Sequence, residues 1–247
     1  MNKYKIHIAY DGTKYSGWQL QHNAITIQEV LERGIGQFLQ EDPRIIGSGR
    51  TDAGVHAMDQ VAHFTTGKTI NEEQFLHAAS SLLPKDIRIT KIEKADDDFH
   101  AQYSAKRKEY HYHFTTNRFV SPFRRYFCTH FKRKIDLGLL KNGTKKFIGT
   151  HDFTSFANSP NEGSAAKNSV RTIYRIDIIE TENEVRLEFE GNGFLYKMVR
   201  NIVGTLIDVA SSKIPLEEID KIFTAKDRRA GPIAAPPQGL FLVKVSY

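Results

Sequence analysis

Gly47-Ser48-Gly49-Arg50-Thr51-Asp52-Ala53-Gly54-Val55-His56-Ala57 carries neither a helical nor a strand period. Its three glycines surround one arginine and one aspartate, the composition of a loop that bends tightly and lets its backbone approach another group closely. A guanidinium two residues from a carboxylate favours the ionised acid, so the loop presents negative charge. Arg44–Gly47 and Gln60–Phe64 on either side read as short strands. The loop therefore joins a β-β pair, and the rest of the fold is read outward from it.

Upstream, Tyr4, Ile6, Ile8 and Tyr10 alternate with Lys5, His7 and Ala9, the period of a strand. Thr26-Ile27-Gln28-Glu29 is a capping box, and it opens a helix with Ile27, Val30, Leu31, Ile35, Phe38 and Leu39 on one face. Downstream, Asn71 caps a second helix with Gln74 at its third position and Ile70 stapled against Phe75. Ile87–Ile92 is again a strand. The order β-α-β-β-α-β is that of a ferredoxin-like split unit.

The later sequence repeats that order. Glu109–Phe114 alternates as a strand, with an additional strand near Phe127–Arg133 and a helix over Asp136–Phe147. Val170–Glu180 and Glu184–Glu190 form a hairpin across Thr181-Glu182-Asn183. Tyr196–Ala210 is helical, Pro215 opens a further helix to about Thr224, and Leu240, Leu242, Val243 and Val245 belong to a last strand. The expected fold is α+β: two pseudo-duplicated ferredoxin-like halves, 1–104 and 105–247, forming a continuous, mostly antiparallel sheet with a central cleft. The duplication is one of element order, with no residue-level repeat. Phe156–Lys167 reads as a loop that orders on substrate binding or stays flexible.

The chain has 247 residues, 40% hydrophobic and 26% charged, the balance of an ordinary globular protein with a sizeable core. No apolar run approaches the roughly 18 residues of a membrane span. The amino terminus enters a strand directly without a signal-peptide core. Cys128 stands alone, so no disulfide forms within the chain. These features place the expected location in the cytoplasm. Charge is unevenly distributed: residues 1–104 hold 11 Lys and Arg against 14 Asp and Glu, whereas 105–247 hold 24 against 15. Basic clusters at Lys106-Arg107-Lys108, Arg124-Arg125, Lys132-Arg133-Lys134 and Lys145-Lys146 alternate with Tyr110, Tyr112, Phe123, Tyr126, Phe127 and Phe131. Cations that meet phosphates, interleaved with rings that stack on bases, favour nucleic acid as the partner.

Gly49-Arg50-Thr51-Asp52-Ala53-Gly54-Val55-His56 resembles, almost letter for letter, the catalytic loop of the tRNA pseudouridine synthases of the TruA family. Tyr10-Asp11-Gly12-Thr13 with Gly17-Trp18-Gln19 resembles that family's opening signature. Phe99-His100-Ala101 with Lys108-Glu109-Tyr110-His111-Tyr112 resembles its second motif. The run from Gly193 to Gly204, containing Met198-Val199-Arg200-Asn201, resembles its third, and Pro236-Pro237-Gln238-Gly239-Leu240 the segment before its last strand. The resemblance implies that Asp52 is the essential carboxylate and that Tyr110 stacks on the target base. It implies that Arg200 pairs with the catalytic Asp, and that Arg50 helps extrude the target nucleotide and fill its place, since base-modifying enzymes take the base out of the stack.

It further implies isomerisation of uridines at positions 38, 39 and 40 of the tRNA anticodon stem-loop, a homodimer, and no metal or organic cofactor. Whether Asp52 attacks covalently or removes a ribose proton stays open. Each residue also has a plainer reading: a turn-stabilising ion pair or phosphate contact for Arg50, a half-buried strand tyrosine for Tyr110, a helix-surface arginine for Arg200. His56 is placed like a base and reads as a hydrogen-bonding group within its loop.

The chain departs from the family at Ala234-Ala235-Pro236, where the family carries Thr before Ala-Pro, and around Asn161. A rival reading keeps the RNA surface without the reaction, as a non-catalytic tRNA-binding or RNA-chaperone protein; a pure binder has no need of Asp52, Tyr110 and Arg200 together. A paralogue acting on another uridine is a second rival. A third rival, a metal-dependent phosphatase or nuclease, needs a carboxylate cluster for two metal ions that this chain lacks. His111, His113, Cys128 and His130 lack zinc-finger spacing.

Overall fold

The computed structural model describes residues 1–158 and 168–247. The loop read at Phe156–Lys167 therefore lies mostly outside the described residues. Mixed α+β architecture with mostly antiparallel pairing and five α-helices is present among the described residues. The chain divides into two compact units, Met1–Lys106 with Phe241–Tyr247, and Arg107–Leu240.

In the first unit β1 (Asn2–Tyr10) runs antiparallel to both β3 (His56–Thr66) and β4 (Ile87–Lys94). The two-residue β2 (Ile46–Gly47) is antiparallel to β3. The last strand of the chain, β10 (Leu240–Ser246), groups here because Phe241 and Leu242 pair in parallel with His56 and Ala57. Sequence order alone places that strand with the residues that precede it.

Alternation decides which face of β1 is apolar: Tyr4, Ile6, Ile8 and Tyr10 are all buried. The two helices that cover this sheet, α1 (Ile27–Leu39) and α2 (Glu72–Leu82), start where the capping residues stand. Thr26 accepts the Glu29 N–H at 3.3 Å and Asn71 accepts the Gln74 N–H at 3.0 Å. A run of rings from Tyr4 through Phe64 and Phe75 to Phe38 ties the strands to α2 and α1. Phe64 and Phe75, both fully buried, each contribute roughly 1.5–3 kcal/mol. The phenol of Tyr4 accepts the Ile70 N–H at 2.9 Å, anchoring the residue before the α2 cap.

In the second unit the strand order is β5 (Arg107–Thr115), β9 (Val185–Gly191), β8 (Val170–Glu180), β7 (Gly149–Asp152), all antiparallel, with the short β6 (Thr129–His130) parallel to β5. Tyr110, Tyr112 and Phe114 lie opposite Phe189, Leu187 and Val185. The other face of these strands is a charged ladder. Arg175 reaches Glu109 at 3.0 Å, Glu188 at 3.3 Å and Glu190 at 2.9 Å. The helix α3 (Leu137–Lys145) is capped by Asp136. It crosses α4 (Met198–Ala210) so closely that a Cβ on Gly143 would lie 2.9 Å from the Leu206 side chain.

The elements differ from the sequence reading in several places, and the strand expected at Arg44–Gly47 is only Ile46–Gly47. The strand expected at Gln60–Phe64 begins at His56, directly after the glycine loop. The strand near Phe127–Arg133 shrinks to two residues. The last helix, α5 (Glu218–Ala225), starts after Pro215, because Pro215–Glu217 forms turns with bonds three residues apart. The short β7, four residues with mixed burial, carries no period that a reading of sequence detects.

His63 on β3 is 5% exposed and accepts the Ala101 N–H at 3.1 Å through Nδ1. Burial, reinforced by neighbouring His100 and Lys3, lowers its pKa to about 4. The unfolded chain therefore binds a proton near pH 6.5 that the folded chain refuses. Stability from this residue is fully present above pH 6.5 and is lost as pH falls toward 4. Urea unfolding at pH 7 and pH 4.5 is expected to show a pH-dependent loss about 2 kcal/mol smaller for His63→Gln than for the wild type. An identical loss in both would show that His63 is not a source of acid sensitivity.

Candidate active site

The loop carrying Asp52 occupies residues 48–55, between β2 and β3, and it is fixed from inside the first unit. Ser48, fully buried, donates its hydroxyl to Gln60 Oε1 at 2.7 Å, and Gln60 in turn donates to the Gly49 carbonyl at 2.9 Å. The Val55 N–H closes onto the Asp52 carbonyl at 3.1 Å, a one-turn bend that Gly54 permits with φ of +76°. Asp52 is half-buried, and Arg50 is exposed.

The opening signature supplies the other wall. Tyr10, at the end of β1, hydrogen-bonds through its phenol to Thr51 Oγ1 at 2.8 Å. Burial holds the Tyr10 pKa well above the ordinary phenol value, against smaller opposing pulls from Thr51 and Gln60. The Trp18 N–H donates to the Thr51 carbonyl at 3.0 Å. Two glycines make this approach possible: a Cβ on Gly12 would lie 2.0 Å from the Val55 carbonyl oxygen, and one on Gly17, where φ is +88°, 2.5 Å from that of Thr51. Two motifs some forty residues apart thus form one packed element around Asp52.

His56 is buried and reaches the opening signature. Its Nδ1 lies 3.1 Å from the Gly12 N–H and 3.1 Å from Asp11 Oδ1, and its ring stacks on Phe241 at 4.6 Å. Nothing in the sequence names Gly12 as its partner. The roles of Tyr10 and Gln60 in holding the loop are likewise invisible there, although Tyr10 stands inside a recognised motif.

In the second unit, Tyr110 on β5 is 7% exposed, as its strand alternation requires, and meets Phe194 edge to face with ring centroids 5.2 Å apart. The second and third motifs therefore touch at this ring. Arg200, half-buried on the first turn of α4, donates from Nε to the Ala235 carbonyl at 2.7 Å, while the Ala235 N–H returns to the Arg200 carbonyl at 2.9 Å. Gly204, one turn later, leaves room for the Ile233 carbonyl, only 2.2 Å from where a Cβ would stand. The neighbouring Tyr112 phenol bonds Thr129 at 2.8 Å and the Pro236 carbonyl at 2.9 Å. The segment Ala234-Ala235-Pro236 is thus stitched to α4 and β5 through its backbone groups. Of the four residues singled out from sequence, Asp52 and Arg50 belong to the first unit and Tyr110 and Arg200 to the second.

The basic cluster Lys106-Arg107-Lys108 is not one solvated face. Arg107 pairs with Glu190 at 2.9 Å and covers the Tyr174 ring at 4.7 Å. Lys108 shares the buried side of β5 with Tyr110; burial, with Arg171 adding a second cation, lowers its pKa to about 8. The histidines weighed as metal ligands diverge. His111 bonds Glu109 at 2.8 Å, His113 lies 3.3 Å from Glu184, and His130 bonds the Asn117 carbonyl at 2.9 Å. Glu109, His111 and Glu188 do gather their ligand atoms within 4.8 Å, and Arg175 already engages both carboxylates.

A family model described as tRNA pseudouridine synthase matches residues 6–104 and 144–247. The chain belongs to the tRNA pseudouridine synthase family. Relatives agree over the full length. The tRNA pseudouridine synthase A 1 of Protochlamydia amoebophila (strain UWE25) is 55% identical over all of this chain and 97% of its own. The tRNA pseudouridine synthase A of Limosilactobacillus reuteri (strain DSM 20016) is 44% identical with the same coverage. That of Chlamydia muridarum (strain MoPn / Nigg) is 45% identical over 98% of this chain and 91% of its own. This pseudouridine synthase is accordingly an isomerase acting on tRNA, and none of its helices is long and apolar enough to cross a membrane among the described residues. Tyr110 falls between the two segments that the family model matches, in a stretch that the full-length relatives do span.

Gly17→Ala in this pseudouridine synthase forces a side chain into a left-handed backbone and against the Thr51 carbonyl. Its unfolding free energy is expected to fall by at least about 1–2 kcal/mol, with a loss of pseudouridine formation. Unchanged stability and activity would show that the opening signature does not set the Asp52 loop.

Proposed function

We propose that the chain converts uridine to pseudouridine at positions 38, 39 and 40 of the tRNA anticodon stem-loop, with Asp52 as the catalytic residue. The observation that carries this reading is the Asp52 loop itself. It is a half-buried carboxylate on a glycine-rich bend whose conformation is fixed by Ser48–Gln60, Tyr10–Thr51 and Trp18–Thr51 bonds. The reaction detaches uracil from C1′, turns it and rejoins it through C5. It therefore needs a carboxylate held still at the sugar or base, and a surface that keeps the detached base.

In this proposal Tyr110 supplies that surface by stacking, with Phe194 as its neighbour on the protein side. Arg200 supplies a cation that orients and keeps ionised the Asp52 carboxylate. The Ala235 N–H bonded to its carbonyl fixes the turn it stands on. Arg50, exposed beside Asp52, takes the place of the extruded nucleotide. The proposal includes a cytoplasmic homodimer working without metal or organic cofactor. It also includes two duplicated ferredoxin-like halves, 1–104 and 105–247, with a continuous sheet and a central cleft, as the element order read in the sequence implies.

The test is site-resolved pseudouridine mapping on unmodified tRNA incubated with wild type or Asp52→Ala. Product at the anticodon-arm positions with wild type alone is expected, and the variant is expected to bind tRNA within about twofold of wild type, because no phosphate contact is removed. Product elsewhere in the tRNA would contradict the site, and product from Asp52→Ala would contradict the catalyst. No product from either protein, with tRNA still bound, favours the non-catalytic RNA-binding reading.

A further inference from the structure

From Tyr110 to Ile135 the chain contains six cations, Arg118, Arg124, Arg125, Lys132, Arg133 and Lys134, and no aspartate or glutamate. This stretch lies wholly between the two segments that the family model matches. Its middle, residues 116–128, leaves β5 and returns to β6, and it exposes rings that a folded chain ordinarily hides: Phe119 is 74% exposed, Phe123 88% and Tyr126 45%. Two of those rings carry a guanidinium over their faces, Arg118 at 5.2 Å from the Phe119 centroid and Arg125 at 4.2 Å from that of Tyr126.

The segment is built, and not merely draped over the surface. The Arg124 N–H bonds the Ser121 carbonyl at 2.8 Å and the Phe127 N–H the Arg124 carbonyl at 2.9 Å, giving consecutive turns. His130 bonds the Asn117 carbonyl at 2.9 Å. Arg124 is clamped by Glu184 through two bonds of 2.6 and 2.7 Å, so the acid nearest the segment already has its charge matched. Beside the clamp an open groove of about 560 Å³ runs between Asn117, Phe119, Pro122 and Asn183.

We infer that residues 116–128 form a nucleotide-stacking platform that takes unpaired nucleotides of the RNA substrate, separate from Asp52 and Tyr110. Exposed rings offer faces to bases of any identity, and guanidiniums beside them meet phosphates or extend the stack. Arg124 and Arg133 are matched by Glu184 and Asp208; the other four cations, in a stretch that holds no carboxylate of its own, fit a polyanion, and a second protein surface would have to bring acids to match them. The inference rests on tRNA being the substrate and is independent of which uridine is modified.

The test uses the full-length protein and an unmodified tRNA transcript. Phe119→Ala/Phe123→Ala is expected to weaken tRNA binding at least about tenfold, the loss of one stacked base. The single-turnover rate of pseudouridine formation at saturating tRNA is expected to stay unchanged, which separates this platform from the catalytic residues. Arg118→Gln/Arg125→Gln is expected to flatten the dependence of binding on salt. TRNA carrying a photoreactive uridine analogue is expected to crosslink to Phe119 or Phe123 of the unmutated protein, a readout that needs no variant to fold. Unchanged affinity together with no crosslink would overturn the inference. So would a loss of affinity that follows a loss of self-association in sedimentation, which would assign the face to a second copy of the chain. A wild type that binds tRNA and crosslinks but makes no product would defeat the proposed reaction and leave the platform standing.

Discussion

Everything proposed for Asp52 depends on backbone meeting backbone between the segment 10–18 and the loop 47–56. Gly12 and Gly17 let carbonyl oxygens of the loop come where a side chain would exclude them, and Trp18 and Tyr10 then bond both the backbone and the hydroxyl of Thr51. A carboxylate on an exposed glycine-rich loop would otherwise sample many positions. Here the residue before it is bonded through its side chain and its carbonyl, and the carbonyl of Asp52 itself closes the next turn. Preorganisation of this kind keeps the reorganisation cost out of the chemical step. The strands contribute by delivering Tyr10 and His56 to the same end of the β1–β3 pair, where Tyr10 and Ala57 are in register.

The second unit solves a similar problem with a helix. Met198, Ile202, Val203 and Leu206 bury α4 almost completely, so its orientation is fixed by packing. Arg200 leaves that helix beside the extended segment 232–236, and the reciprocal bonds with Ala235 hold the two together. Tyr112, two residues from Tyr110 on the same face of β5, bonds the next carbonyl along that segment. These bonds engage the backbone of Ala235 and Pro236, so they do not depend on the side chain at position 234.

Local signals were legible along the chain because they rest on short-range physics. Thr26, Asn71 and Asp136 cap helices where their side chains reach a backbone N–H three residues on, and alternation correctly assigned the buried faces of β1 and β5. Contacts between distant segments were not legible. Tyr10 and Thr51 stand 41 residues apart and His56 and Gly12 stand 44 apart, and a single sequence carries no record of such pairings. Nor does a count of charge along the chain reveal which cations are paired: Arg107 and Arg124 meet Glu190 and Glu184 from a neighbouring strand and its turn. The short β7 escaped because four residues hold too little period to register.

The most direct test of this account is a double-mutant cycle on the Tyr10–Thr51 hydrogen bond, read as the single-turnover rate of pseudouridine formation at saturating tRNA. Tyr10→Phe and Thr51→Val each delete one partner without touching Asp52. Each is expected to slow the chemical step by about tenfold, the kinetic equivalent of one hydrogen bond. The double variant is expected to be no slower than the slower single, with tRNA affinity unchanged. Wild-type rates in both single variants, or losses that simply multiply, would contradict the claim that this contact holds the catalytic loop.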